Sequence, residues 1–294
     1  MVEDKSIGAK VFNVVNGIIM AVIIAITVYP LLYVLALSLS SAEYVQAGLV
    51  NLIPKGFNLQ AYKQVLGDEY FWKSYGNTVL YTVVGTTINL LLTSTFAFCL
   101  SRKNLIFRKQ LTALIVFTMF FSGGIIPNFI LVKNLGIYNT MWAVVLPGAI
   151  NTYNMIIVRT FMQQLPEEIF ESGRIDGAND LQLFAKIVLP LSKPALATIG
   201  LYYAVDHWNA YFYPMLYLTD KVHYPLQVLL KEMLVEQDFS NMSQSAAEIM
   251  GNIQPTTDML MGASIVIALI PILCVYPFIQ RYFVQGVMIG SLKG

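Results

Sequence analysis

Long apolar runs separated by short polar stretches dominate the chain. A run of roughly 20 residues suffices for a helix, rising about 1.5 Å per residue, to cross the hydrocarbon core of a bilayer. The pattern predicts six such helices, over Gly17–Leu39, Tyr75–Leu100, Leu111–Val132, Ile137–Val158, Ala195–Leu218 and Met259–Gln280. The first run is too long for the apolar part of a signal peptide and no small-residue cleavage site follows it, so we expect it to be retained.

The composition agrees with a membrane protein. Hydrophobic residues make up 56% of the 294 residues and charged residues only 12%, with a mean hydropathy of +0.63. A soluble domain of this size could not cover its surface with so few polar side chains. We therefore expect one all-α polytopic membrane domain over residues 1–294.

The distribution of positive charge predicts the orientation of this domain. Of the 18 lysines and arginines, 12 fall on the side that six helices would give to both termini, and six fall on the other side. The tight basic loop "SRKNLIFRK" lies on the first side. The positive-inside rule then places both termini in the cytoplasm, and with them the segment between the fourth and fifth spans.

Several kinds of chemistry have no signature in the sequence. It contains no P-loop, no metalloprotease pattern and no Gly-x-Ser-x-Gly motif, so we predict neither an enzyme nor a nucleotide or metal site in this chain. The two cysteines, Cys99 and Cys274, lie inside predicted spans, where we expect buried thiols. A net charge of +1 does not indicate nucleic-acid binding.

Residues 166–190, the segment between the fourth and fifth spans, form a polar interruption that we call the 166–190 loop. Pro166 suits a helix start, and Glu167 and Glu168 favour the first turn of a helix, where the dipole attracts negative charge. The turn-rich "DGAND" predicts that this helix ends within Arg174–Gly177.

A second short helix should follow in the same loop. Asn179 or Asp180 can cap its start, and Pro190 should end it. The helical spacing of apolar residues predicts one apolar stripe, formed by Leu181, Phe184 and Ile187 or Val188. From the pattern alone, such a pair of helices either lies in the headgroup interface or forms a docking surface for a soluble partner.

The spacing within the 166–190 loop resembles the EAA loop of bacterial ABC importer permeases, which couples the membrane subunit to an ATPase. The resemblance rests on Glu171, two small residues, Gly177, Ile187 and the pair Leu189–Pro190. It implies ATPase-coupling roles for Glu171, Ser172, Gly173, Asp176, Gly177, Ala178, Leu181, Phe184, Ile187 and Pro190. The family usually has two alanines where Ser172 and Gly173 stand, and Gly173 costs about 1 kcal/mol of helix propensity, so we expect a less rigid coupling helix.

The resemblance extends over nearly the whole chain. "LVKNLGIYNTMWAVVLPGAI", "VDHWNAYFYPMLYL" and "QRYFVQGVMIGSLKG" are similar to carbohydrate-uptake permeases related to the smaller membrane subunit of the maltose transporter, and most similar to the LplC-type permeases for polysaccharide-derived oligosaccharides. This implies the type I ABC importer fold in a bacterial cytoplasmic membrane. The implied partners are a second, homologous permease, two ATPase subunits that bind ATP and Mg²⁺, an extracytoplasmic solute-binding protein and an oligosaccharide; this chain itself needs no cofactor.

Polar residues within the predicted spans are candidates for a substrate path, because lipid disfavours them. The fifth span carries a stripe at helical spacing, and the fourth span adds further polar residues. The candidates are Asn151, Tyr153, Asn154, Tyr202, Asp206, His207, Trp208, Asn209 and Tyr213. Asp206 either accepts hydrogen bonds from a sugar, with Trp208 or a tyrosine against the sugar face, or pairs with His207 or a partner subunit and holds helices together.

Glycines and prolines predict breaks in several spans, which only neighbouring helices or a protein-lined cavity can tolerate. They lie in "FSGGIIP", in "LPGAIN" and at Pro271 and Pro277. For Gly123 and Gly124, tight helix packing is the more frequent explanation.

Outside the spans, we expect extracytoplasmic loops at residues 41–74 and 219–258; the second is acidic and suits a soluble binding protein. The tail, residues 285–294, either touches the ATPase, as the resemblance implies, or frays.

Two other functional classes remain to be weighed. An ion-coupled secondary transporter or channel should show internal repeats and several midspan charges, whereas this chain shows one midspan carboxylate. A membrane scaffold would leave the 166–190 loop without a role. The subgroup suggests uronate-containing oligosaccharides, such as alginate or pectin fragments, although an anionic sugar would favour a cation where this chain has Asp206.

Overall fold

A computed structural model describes residues 6–121, 123–243 and 255–291. The regular elements in these ranges are all helical. In chain order they are α1 (Ile7–Ser38), α2 (Ala42–Gln46), α3 (Gln60–Gly67), α4 (Glu69–Ser101), α5 (Arg108–Phe120), α6 (Ile125–Asn134), α7 (Met141–Val145), α8 (Thr152–Gln163), α9 (Glu167–Ile175), α10 (Asp180–Leu183), a π turn (Phe184–Val188), α11 (Leu189–Leu191), α12 (Lys193–Trp208), α13 (Phe212–Tyr217), a 3₁₀ turn (Lys221–His223), α14 (Leu226–Ser243) and α15 (Thr257–Ser291).

Three of these helices, α1, α4 and α15, are long and apolar enough to cross a membrane unaided. They cover the first, second and sixth predicted spans. The bent pair of α5 and α6 covers the third, and α12 covers the first part of the fifth. The described residues thus offer three to five membrane crossings by length and composition.

The fourth predicted span, Ile137–Val158, is not one continuous helix. It is divided between α7 and α8, which are separated by an irregular segment containing Pro147 and Gly148. Proline lacks the amide hydrogen that a helix requires, and Asn151 caps the start of α8 with its side chain. The fifth predicted span is interrupted too, because α12 ends at Trp208 before α13 begins.

The glycines between α5 and α6 mark a helix break rather than close packing. Gly124 has a φ of +87° and precedes α6 as its N-cap residue. A side chain at Gly123 would meet no atom within 4 Å. The expectation of tight packing at these glycines is therefore wrong. The expectation of buried cysteines is also wrong, since Cys99 and Cys274 are exposed in this chain.

The predicted boundaries of the polar segments need adjustment. Helix α4 begins at Glu69, inside the expected outer loop 41–74, and that loop also holds α2 and α3. The expected loop 219–258 contains α14, and its residues 244–254 lie outside the described ranges. The tail is helical to Ser291, while residues 292–294 are not among the described residues.

The chain divides into two compact units, Met1–Glu69 with Leu230–Ile270, and Tyr70–Leu229 with Pro271–Gly294. In the first unit, α15 approaches α1 closely at Gly262. A Cβ atom there would lie 3.2 Å from the carbonyl oxygen of Val34 and 3.3 Å from the Cβ of Ser38. The hydroxyl groups of Ser38 and Tyr62 are 2.8 Å apart and join α1 to α3.

The second unit contains a buried apolar cluster that joins the long helix α4 to α8, α9, the π turn and α12. It includes Phe98, Met155, Phe170, Val188 and Ile199. Packing of this kind holds the 166–190 loop against the helical bundle, because Phe170 and Val188 belong to the loop.

Glycines let α4 and α12 approach each other closely within the second unit. A methyl group at Gly85 would overlap the imidazole ring of His207, and one at Gly200 would lie 3.1 Å from the Cδ1 of Leu90. These contacts place the polar residues of both helices within hydrogen-bonding reach.

Replacing Gly85 by alanine should destabilise the protein, because the added methyl group must displace the His207 ring. Such overpacking typically lowers the free energy of unfolding by about 1–3 kcal/mol. Gly76 lies on the same helix with open space around it, so Gly76→Ala is the matched control and should be neutral or stabilising. Thermal unfolding of both variants in detergent measures the difference; equal unfolding temperatures would contradict the close packing at Gly85.

Candidate functional site

The first helix of the 166–190 loop, α9, ends in a tightly hydrogen-bonded turn. Its range, Glu167–Ile175, ends within the predicted interval. The amide of Gly177 donates to the carbonyl of Arg174 (3.0 Å), and the amide of Ala178 donates to the carbonyl of Gly173 (3.0 Å). Gly177 has a φ of +79°, so this is a Schellman motif, whose left-handed residue is usually glycine.

The second helix, α10, starts two residues later with a capping box. The side chain of Asn179 accepts a hydrogen bond from the amide of Gln182 (2.8 Å), and the side chain of Gln182 accepts one from the amide of Asn179 (3.0 Å). The prediction that Asn179 caps this helix is thus confirmed. Together with the Schellman motif, the box fixes a sharp corner between the two helices.

The helical path does not stop at Pro190, as the sequence suggested. It continues from α10 through the π turn into α11 and breaks only at Ser192, where the axis bends by 81° into α12. Pro190 is the second residue of α11, directly after the π turn, and does not end the helical path.

Gly173 lies at the contact between the two helices of the loop. It is buried, and a Cβ atom there would lie 2.5 Å from the Cδ2 of Leu183 and 3.2 Å from the Cδ1 of Ile187. Ser172 is exposed and donates its hydroxyl hydrogen to the carbonyl of Ile169 (3.1 Å). The glycine in "ESG" therefore allows a close approach of the helices, which offsets part of the expected loss of rigidity.

Two large apolar side chains are exposed at the corner of the loop. Ile175 is 86% exposed and Leu181 is 73% exposed. Leu181 is thus exposed, as an apolar stripe on a docking surface requires, whereas Leu183 packs inward at Gly173. The rest of the predicted stripe turns inward instead: Phe184 and Ile187 are half-buried and Val188 is buried.

Charged and polar groups surround these two apolar side chains. Glu171, Asp176 and Gly177 are exposed, and Ala178 is half-buried. Arg174 and Asp180 lie 3.6 Å apart across the corner, an exposed ion pair that contributes only about 0–1 kcal/mol. The corner thus presents an apolar surface with a polar rim, the arrangement found at docking sites.

The polar stripe of the fifth span lies on one exposed face of α12 and α13, which we call the polar helix face. It consists of Tyr202, Asp206, Asn209 and Tyr213, all exposed in this chain. Asp206 makes no ion pair with His207 in the part of the chain that the structure describes. An exposed carboxylate within a predicted span is unfavourable against lipid, so another protein surface or water must meet this face.

The neighbouring candidates His207 and Trp208 point away from the polar helix face. Trp208 is buried and packs edge to face against Tyr75, with ring centroids 6.0 Å apart. Its indole nitrogen has no hydrogen-bond partner among the described residues. In this conformation Trp208 packs within the chain, and its contact with a sugar stays a prediction.

The candidates on the fourth span are divided between the surface and the core. Asn151 and Tyr153 are exposed, whereas Asn154 is buried. The side chain of Asn151 accepts a hydrogen bond from the Asn154 amide (3.1 Å), so its first role is to cap α8. The structure does not bring Asn154 to the same exposed surface as the other two residues.

A polar ladder joins α4 to α12, and the sequence reasoning named only one of its members, His207. The ladder is formed by buried Asn89, Thr93 and Tyr203 and by half-buried His207. The hydroxyl groups of Thr93 and Tyr203 are 2.7 Å apart, and the amide of Asn151 donates to the Tyr203 hydroxyl (3.0 Å). Asn89 donates to the carbonyl of Gly148 (3.3 Å) and lies 3.4 Å from the His207 ring. One sequence signal could have revealed the ladder: Asn89 and Thr93 are polar, lie in an apolar run and are four residues apart, which places them on one face of a helix.

Replacing Gly177 by alanine should loosen the corner of the 166–190 loop, since a left-handed conformation costs an L residue about 1–2 kcal/mol. The amides of Gly177 and Ala178 should then exchange hydrogen at least about fivefold faster, as measured by mass spectrometry of loop peptides. Gly177→Asn should have a smaller effect, because asparagine tolerates this conformation. Unchanged exchange in the alanine variant would contradict the Schellman assignment.

Comparison with known proteins places these features in a family. Residues 77–289 match the model of the binding-protein-dependent transport system inner membrane component family. The chain is 45% identical to the polygalacturonan/rhamnogalacturonan transport system permease protein YtcP of Bacillus subtilis, over 92% of this chain and 93% of that protein. It is 42% identical to the B. subtilis protein LplC, over 97% and 96% of the two chains.

A solved structure shows the same fold. A chain in the crystal structure of a bacterial ABC transporter, one involved in the import of the acidic polysaccharide alginate, superposes with a TM-score of 0.87 at 35% identity, over 96% of this chain and 100% of that one. These matches agree with the resemblance to LplC-type permeases and favour an ABC importer over an ion-coupled transporter or a scaffold. The chain belongs to the family of inner-membrane components of binding-protein-dependent transport systems.

Proposed function

We propose that this chain is one of two permease subunits of an ATP-driven, binding-protein-dependent importer of oligosaccharides, including uronate-containing fragments of pectin or alginate. The observation that carries the proposal is the 166–190 loop, a rigid two-helix corner with exposed Ile175 and Leu181. Two relatives of the chain belong to transport systems for polygalacturonan/rhamnogalacturonan and for alginate, which are acidic polysaccharides.

In this proposal the chain crosses the membrane six times and both termini are cytoplasmic. The fourth crossing is made by α7 and α8 together, and its break is lined by the polar ladder. Twelve positive residues on the proposed cytoplasmic side against six on the other support this orientation.

The corner of the 166–190 loop docks on an ATPase subunit. Ile175 and Leu181 supply the apolar part of the contact, and Glu171, Ser172 and Asp176 supply its polar rim. Two such ATPase subunits bind ATP and Mg²⁺, and this chain binds neither. The helical tail, residues 285–291, adds a second contact. Docking drives transport only if its free energy differs between the ATP-bound and nucleotide-free states.

The polar helix face lines a cavity shared with the second, homologous permease. Exposure of Asp206 without an ion pair to His207 favours substrate contact over the alternative role of holding helices within this chain. Asn151 and Tyr153 contribute to the same path, and half-exposed Tyr213 offers an aromatic face to a sugar ring. Since Asp206 is anionic, any cation that binds a uronate in the cavity comes from the second permease. An extracytoplasmic binding protein delivers the sugar.

The purified complex with its binding protein, reconstituted in lipid, should hydrolyse ATP faster when oligogalacturonides or alginate oligosaccharides are added. Phosphate release measures this rate. A neutral malto-oligosaccharide is the control and should give less stimulation. Uptake driven by an ion gradient in vesicles that lack the ATPases would overturn the proposal.

Asp206→Ala should lower binding-protein-stimulated transport by about tenfold or more, because hydrogen bonds to a charged group contribute about 1.5–3 kcal/mol. Val205→Ala, at the adjacent exposed position, is the control and should transport normally. Both variants should assemble with the partner subunits. Transport by Asp206→Ala with unchanged rate and apparent affinity would assign Asp206 to helix association instead.

A further inference from the structure

The long helix α4 is bonded to the 166–190 loop at one end. Arg102 directly follows this helix, and its Nη2 lies 3.2 Å from the Oε1 of Glu167 in α9. The carbon of the same guanidinium lies 3.8 Å from the centroid of the Phe170 ring, and Phe170 is 3% exposed. Lys103 adds a longer contact of 3.5 Å to Glu167. One side chain, Arg102, thus holds α9 by charge and by ring stacking at once.

The last turn of α4 is fixed from two further directions. The carbonyl of Leu100 accepts hydrogen bonds from the Nε of Arg108 (3.0 Å) and from the Nε of Arg159 (3.2 Å). Carbonyl groups at a helix C-terminus lack partners within the helix and carry partial negative charge, which favours two cations there. This end of α4 therefore cannot shift without moving α8 and α9.

The first turns of α4 hold a different segment, residues 222–226. The side chain of Asn77 donates to the carbonyls of Val222 (2.7 Å) and Tyr224 (3.1 Å). The hydroxyl of Tyr81 donates to the carbonyl of His223 (2.8 Å).

A further hydrogen bond completes this clamp. The amide of Leu226 donates to the hydroxyl of Thr78 (2.7 Å). The clamped segment leads directly into α14, which the proposed topology places on the extracytoplasmic side, where the binding protein docks.

Between these two ends, α4 runs as one helix without proline. The 24 helical steps from Asn77 to Ser101 correspond to about 36 Å at the helical rise. The polar ladder joins its middle to α12 and to the break between α7 and α8. A packed, continuous helix transmits a displacement along its length, whereas a kinked one absorbs it.

We propose that α4 is the rod that transmits the binding-protein signal to the ATPase, with Asn77 and Arg102 as the positioning residues at its two ends. This inference rests on the proposed function. It adds a second route by which the 166–190 loop is moved. Besides its covalent connections to α8 and α12, the loop is linked to α4 by the ion pair of Glu167 with Arg102. For this route to work, binding-protein docking at one end of α4 and ATPase docking at the other must shift the same conformational equilibrium of the chain.

A charge exchange tests the cytoplasmic end. Arg102→Glu and Glu167→Arg should each lower binding-protein-stimulated ATP hydrolysis by at least about fivefold, the lower range of typical coupling between sites. Basal hydrolysis and assembly should stay unchanged. The double variant should recover at least half of the stimulation, because the opposite charges face each other again. Lys109→Glu, which reverses an exposed charge in the first turn of α5, is the control.

The clamp at the other end is tested with Asn77→Ala. Stimulation by the loaded binding protein should fall by about fivefold or more, while basal hydrolysis and subunit assembly persist. Thr87→Ala is the control and should behave as the wild type. It removes an exposed hydroxyl of the same helix that, within the described residues, donates to the backbone carbonyl of Val83.

The outcomes separate this inference from the proposed function. A wild-type complex that no oligosaccharide and binding protein can stimulate would contradict the proposed function itself. A stimulated wild type, with normal stimulation in Arg102→Glu and Asn77→Ala, would overturn the rod and leave the importer in place. A third outcome would also overturn the rod. If both single charge variants lose assembly or basal hydrolysis and the double variant does not restore it, the contacts serve folding alone.

Discussion

The hydrocarbon interior requires every buried backbone polar group to find a partner within protein, and α4 meets that requirement for its neighbours. Side chains of α4 bond backbone groups at the break between α7 and α8 and in the segment that follows α13. Asn89 bonds the carbonyl of Gly148, and Asn77, with Thr78 and Tyr81, bonds the segment after α13. Thr93 acts through Tyr203 on the start of α8.

This dependence explains why the broken helices are stable without being regular. Each break would cost several kcal/mol per unsatisfied group in lipid. The buried polar side chains of α4 are therefore structural requirements. Among the described residues, the exposed polar side chains of α12 and α13 hold no broken segment of another helix, and Asn209 bonds only to the carbonyl of Val205 in α12. This exposed face is the one left for another molecule. The burial of a polar side chain therefore distinguishes a structural role from a ligand-binding role more clearly than its residue type does.

The sequence predicted the features whose causes are local. Apolar length located α1, α4 and α15, and capping chemistry located Asn179 and the end of α9. It did not predict the inward packing of Phe184 and Val188 in the cluster that contains Phe98. It also did not predict the burial of Trp208 against Tyr75. Those outcomes depend on residues distant in the chain. The ladder residue Tyr203 was missed because it lies off the stripe that contains Asp206.

The central claim is that α4 and the 166–190 loop move as one body during the transport cycle. Spin labels on the native Cys99 and on Glu168→Cys, with Cys274→Ala, report the distance between α4 and α9 by pulsed electron resonance. Both labelled positions are exposed, and neither belongs to the proposed ATPase contact. If the two elements move together, one narrow distance distribution is expected, unchanged between nucleotide-free and ATP-bound complexes and broader in Arg102→Glu. A shift approaching one helical turn, about 5 Å, between the two states of the otherwise native complex would contradict it.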